Sequence, residues 1–127
     1  NDCVAMAKQF ADRTHFVHLR SCYIFPNGNF TEASHLGGRG HLIELCRIFE
    51  KAEQEGKCNS GRRLPMRVDH GMTFTDEPGG VFDESNHGHN AGYTLLGRMF
   101  AMGQIQGVIA TVDDELGIEY KQPGFYD

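Results

Sequence analysis

Over the first dozen residues, apolar side chains return every three or four positions. Val4, Ala7, Phe10 and Ala11 fall on one side of a helix, and Asp2 stands ahead of them as a capping carboxylate. The period then changes to two. In Thr14-His15-Phe16-Val17-His18-Leu19-Arg20, Val17 and Leu19 point one way and Phe16, His18 and Arg20 the other, which is the alternation of a strand. Residues 21–39 lose both patterns; Pro26, Asn27-Gly28 and Gly37-Gly38 mark them as a long loop. Helical spacing resumes over about residues 40–55, with Leu42, Leu45, Cys46, Phe49 and Ala52 as the buried stripe. Glu44, Arg47, Glu50, Lys51 and Gln54 form the wet side, and Gly56 is the expected stop. A second strand is predicted over 64–69, Met66 and Val68 facing one way, Arg67 and Asp69 the other. Residues 70–91 make a second long loop. A last helical region covers about 92–116, with a break expected near Gly103 or Gly107, and the tail "KQPGFYD" is irregular.

The order is α-β-α-β-α. Strands joined through helices of this length pair in parallel by right-handed crossovers. A parallel sheet needs cover on both faces or closure into a barrel, and two strands supply neither. The expectation is a single partial domain, 1–127: a piece of a larger α/β fold, or one that another chain completes.

Composition narrows the class. Of the residues, 39% are hydrophobic and 23% charged, which fits a soluble globular chain rather than a disordered one. The net charge is −5, and Arg62-Arg63 is too short a basic cluster for a nucleic-acid surface. Apolar runs are short, so no transmembrane helix is expected; neither is a signal peptide, and a cytoplasmic location follows. The opening Asn1-Asp2 suggests a chain cut from something longer. The cysteines at 3, 22, 46 and 58 match no zinc or thioredoxin spacing. Cys46, on an apolar helix face, is expected to be a buried free thiol, and disulfides are not expected.

Chemistry collects at the strand ends. His18 and Arg20 on one strand and Arg67 and Asp69 on the other put polar groups at the C-terminal tips, the end that carries the active site in a β/α-barrel. The loops that follow are long, as functional loops are. Each residue has a structural alternative: a hydrogen-bonded His, an Asp that caps its loop, an Arg67 that pairs with Asp69. Together, an imidazole and a carboxylate on two parallel tips suit a divalent ion such as Mn²⁺ or Fe²⁺, though two ligands are too few to hold it. His87 and His89 of "HGH" could chelate a metal, but their Asn, Gly and Ser neighbours favour a surface loop.

The segments "FVHLRS" (16–21), "FTEASHLGGRGHLIELCRIF" (30–49), "PMRVDHG" (65–71) and "GYTLLGRMFAMGQIQGV" (92–108) resemble, in order, the C-terminal part of D-mannonate dehydratases. The resemblance implies the last strands and helices of a TIM (β/α)8 barrel, incomplete in this chain. It implies a lyase of glucuronate catabolism that dehydrates D-mannonate to 2-keto-3-deoxy-D-gluconate with Mn²⁺ or Fe²⁺. Carried over by motif, His18 and Asp69 are metal ligands, His70 and Tyr93 the acid/base pair, and Arg20 and His35 substrate contacts. Two further ligands of the family, a His and a Cys, lie on earlier strands whose segments are not in this sequence. The chain departs from the family over 72–91, where the loop is longer. The rest of the barrel or another subunit is then the expected partner, and the fragment alone is expected to be inactive. Two other readings are a non-catalytic barrel piece that binds sugar acids or a partner, and a metal-dependent sugar isomerase.

Overall fold

The computed structural model of the chain describes residues 2–59, 63–72 and 95–119. Helix α1, Cys3–Phe10, starts where Asp2 Oδ1 accepts the Ala5 amide at 3.0 Å, and a 3-10 turn, Ala11–Arg13, ends it. Strand β1, Val17–Leu19, follows, with its apolar residues buried and His18 exposed. Helix α2, Leu42–Gln54, buries Leu42, Cys46, Phe49 and Ala52, and Leu45 packs partly buried against the same core. It ends in a Schellman turn: Gly56 takes φ +67°, its amide reaches Glu53 O at 2.9 Å, and Lys57 N reaches Ala52 O at 2.8 Å. Strand β4, Met66–Val68, pairs with β1 in parallel, Val17 opposite Met66 and Leu19 opposite Val68. Helix α3, Leu95–Leu116, packs on α2 and β4 through Ala101, Ile105, Val108 and Val112, which recur at helical spacing. Residues of α1, α2, α3 and both parallel strands meet in one core. The architecture is a mixed α/β one, with a parallel strand pair backed by helices.

Three expectations need correction. Residues 21–39 are not all loop. They hold an antiparallel hairpin, β2 (Cys22–Ile24) and β3 (Phe30–Glu32), with Cys22 opposite Glu32. Asn27-Gly28 is its turn: Asn27 Oδ1 accepts the Asn29 amide at 2.9 Å and Gly28 takes φ +87°. Cys22–Ile24 is apolar at every position, and β3 buries Glu32 while exposing Phe30, so neither strand shows the usual alternation and only the turn was visible. Next, α3 runs unbroken through Gly103 and Gly107. A glycine weakens a helix by about 1 kcal/mol but keeps its N–H, and burial of the Ala101–Val112 stripe outweighs that cost.

The third correction is Glu50. It is only 2% exposed, because α3 covers that side of α2. Arg63 meets it there: Nη2 lies 3.4 Å from Glu50 Oε2 and 3.0 Å from Oδ2 of the buried Asp113. Glu53 completes the cluster and accepts the Leu64 amide at 2.8 Å, tying α2 to the chain that enters β4.

Run length also understated α3. Gly, Gln and Arg98 interrupt its apolar runs, yet an 18-residue window still averages a hydropathy of 1.2, so by length and composition this helix is apolar enough to cross a membrane. Polar ties hold it to the rest of the fold: Arg47 to Glu115 at 2.8 Å, and Arg63 to Asp113. The four cysteines are free, and burial pushes the Cys46 thiol up to about 12.

Candidate active site at the tips of the parallel strands

Parallel pairing brings the polar faces of β1 and β4 together. The Asp69 amide donates to Leu19 O at 3.0 Å, extending the ladder one step beyond β4. Alternation then puts His18, Arg20, Arg67 and Asp69 on one side, opposite the buried Val17, Leu19 and Val68. His18 Nδ1 lies 3.5 Å from Asp69 Oδ1. That is too long for a good hydrogen bond. It matches the roughly 3–3.5 Å that separates two donors each ~2.1 Å from one ion. The residues present therefore fit two positions of a metal shell. Among the described residues no group of three or more His, Cys, Asp or Glu converges on a metal position.

Three further groups surround the Asp69 carboxylate and its neighbour. Arg20 Nη1 is 3.9 Å from Asp69 Oδ2. His70 Nε2 is 3.7 Å from the same oxygen, and His70 Nδ1 is 3.6 Å from Glu32 Oε1. His70 is nearly buried, whereas His18 and Arg20 are partly open to solvent. Behind Asp69, Arg98 Nη2 donates to its carbonyl at 3.1 Å, so α3 fixes the backbone from which both Asp69 and His70 project.

Glu32 is the residue that sequence reading missed. It is 8% exposed on β3, and its carboxylate accepts Arg20 Nε at 3.0 and 3.3 Å as well as Arg20 Nη2. This hydrogen bonding raises the Arg20 pKa above its ordinary value. The signal was the Glu of "FTEASH", inside a quoted motif but without a strand to place it.

His35 is bonded within the fold. It is 2% exposed, its amide donates to Gln104 Oε1 at 2.9 Å, and its Nε2 is 3.0 Å from Leu19 O. A carbonyl only accepts, so Nε2 carries the hydrogen. Leu19 O thus receives both His35 and the Asp69 amide, and His35 braces the point where the two strand tips meet. Tyr93, His87 and His89 lie outside the described residues.

Comparison with known proteins adds lineage to this geometry. A family model described as D-mannonate dehydratase matches residues 1–118. Mannonate dehydratase 2 of Agrobacterium fabrum is 37% identical over 118 residues, covering 91% of this chain and 28% of that protein. The mannonate dehydratase of Saccharophagus degradans is 35% identical over 115 residues, 89% of this chain and 28% of its own length. That of Chromohalobacter salexigens is 31% identical over 108 residues, 84% of this chain and 26% of its own. The chain spans about a quarter of the length of these relatives.

Proposed function

This chain belongs to the D-mannonate dehydratase family, and from that premise we propose that it is the strand-tip part of a metal-dependent hydro-lyase that converts D-mannonate to 2-keto-3-deoxy-D-gluconate. The observation that carries the proposal is the approach of His18 Nδ1 to Asp69 Oδ1 at 3.5 Å on adjacent parallel strands, with Arg20 and His70 around the same carboxylate. The corresponding fold is the closing portion of a (β/α)8 barrel, which the parallel β1–β4 pair and its covering helices support. The rest of the barrel, elsewhere in the full-length protein or in another subunit, completes it.

His18 and Asp69 would hold Mn²⁺ or Fe²⁺, with the remaining ligands from outside this chain. Held by His18 and Asp69, such an ion would supply Lewis-acid stabilisation of the negative charge that builds as the C2 proton leaves. Arg20 offers guanidinium hydrogen bonds to the substrate carboxylate. His70, one residue past Asp69, reaches from the backbone that Arg98 pins, and with Tyr93 moves the two protons of the reaction: one off C2, one onto the departing C3 hydroxyl. His35 serves the substrate through Arg20, by bracing the Leu19 carbonyl next to it.

The roles separate by experiment in the full-length protein. Asp69→Asn lowers Mn²⁺ affinity, and added Mn²⁺ recovers part of the activity. His70→Asn leaves metal content near normal and costs on the order of 10²- to 10⁴-fold in turnover, which extra Mn²⁺ does not restore. Loss of metal from His70→Asn, or full metal and activity in Asp69→Asn, would refute this division.

A further inference from the structure

We infer that the β2–β3 hairpin is a clamp that aims Arg20 at the substrate carboxylate, with Glu32 and Phe30 as its positioning residues. The inference rests on the sugar-acid reading above and deepens it.

Residues two apart on a strand share a face, so β3 presents Phe30 and Glu32 to the same side. Both meet the Arg20 guanidinium. Glu32 takes its Nε and Nη2 edge, and the Phe30 ring centre lies 5.3 Å from its central carbon. Glu32 fixes the orientation of the group through its hydrogen bonds, and the Phe30 ring lies against it. The Cys22 side chain is a further hydrogen-bond partner of Arg20, and the Nη1 atom lies on the side where Asp69 Oδ2 stands 3.9 Å away. Burial is asymmetric: the Glu32 side chain is 8% exposed, that of Arg20 37%. A buried acid holds an accessible cation.

Glu32 cancels much of the charge of Arg20 but not its donors. Guanidinium–carboxylate recognition is planar and directional, so a guanidinium held in one plane selects a carboxylate presented in that plane. The clamp therefore acts on substrate binding, and because Glu32 Oε1 also lies 3.6 Å from His70 Nδ1, removal of Glu32 reaches the proton-transfer group as well. Its separation from the metal pair is also visible in the chain: His18 and Asp69 belong to the parallel sheet, Phe30 and Glu32 to the hairpin.

The test uses the full-length protein loaded with Mn²⁺ and calorimetric binding of D-gluconate, a six-carbon sugar acid. Glu32→Gln is expected to weaken binding about tenfold, the loss of a charge-assisted contact that holds the receptor. Arg20→Met should weaken it at least as much, and Glu32→Gln added to Arg20→Met should change little more. Glu32→Asp, with the carboxylate kept, should recover part of the affinity. In turnover of D-mannonate, Glu32→Gln should raise KM and lower kcat, because Glu32 meets both Arg20 and His70, whereas Phe30→Leu should raise KM more than it lowers kcat, with metal content unchanged in both. Phe30→Leu, at a half-exposed position, should give a smaller loss of affinity and serves if Glu32→Gln does not fold. Wild-type affinity in Glu32→Gln or in Phe30→Leu overturns the clamp. So do additive losses in the double variant, or a wild-type protein that binds no D-gluconate. Failure of the broader reading looks different: D-gluconate binds in a Glu32-dependent way but D-mannonate is not turned over.

Discussion

Gly71 stands where the chain leaving β4 passes the first turn of α3. A Cβ there would come within 2.4 Å of Gly97 O and 2.8 Å of Arg98 N. These are backbone atoms, which cannot swing aside as a side-chain end could. The positive-φ glycines among the described residues are Gly28, Gly56 and Gly117, so Gly71 is required by close approach and not by an unusual turn. Gly71→Ala should therefore cost stability at or above the upper end of the ~1–3 kcal/mol typical of overpacking, read as a lower urea midpoint; an unchanged midpoint would contradict the contact. At this scale much of the site was legible. His18, Arg20, Asp69 and His70 stood at the ends of strands with readable alternation, and strand tips are where such chemistry gathers. Glu32 was not legible, because β3 buries the acid and exposes Phe30, the reverse of the usual pattern, and its partner Arg20 is twelve positions away. His35 shared a motif with Glu32, and no pattern in the sequence tells that one residue would bond Arg20 and the other the Leu19 carbonyl.

Among the elements, α2 and α3 show what periodicity can and cannot supply. The α2 stripe and its Gly56 stop followed from spacing. Glu50 did not, because burial from the wet side depends on α3, and α3 docks from more than forty residues downstream. Burial raises the Glu50 pKa from the usual 4.5 to about 7, Arg63 opposing the rise and Glu53 and Asp113 adding to it. The folded state thus holds a proton that the unfolded state has released between these values. This contribution to stability is complete below about pH 4.5 and is lost as pH rises through about 7. The slope is at most about 1.4 kcal/mol per pH unit. Glu50→Gln should flatten that dependence, measured as urea midpoints at closely spaced pH values from 4.5 to 7. An equally steep curve in the variant would assign the titration to another group.

For the whole molecule, the α/β order and the parallel pairing were readable from the chain, while the hairpin and the continuity of α3 came only with tertiary contacts. Apolar residues at the start of α3, Leu95 and Met99 among them, are exposed. In the proposed enzyme this chain supplies two metal ligands, two proton-transfer groups and a carboxylate receptor, and these act only with the rest of the shell. A partial shell holds a metal weakly, so the 127-residue chain by itself should release no product. The most direct measurement is turnover of D-mannonate by the full-length protein, followed as the appearance of the 2-keto-3-deoxy acid. The account predicts product with Mn²⁺, loss of turnover on chelation, recovery when Mn²⁺ is returned, and none from the 127-residue chain. D-Mannonate left unchanged by the full-length protein, turnover indifferent to chelation, or turnover by the isolated chain would contradict it.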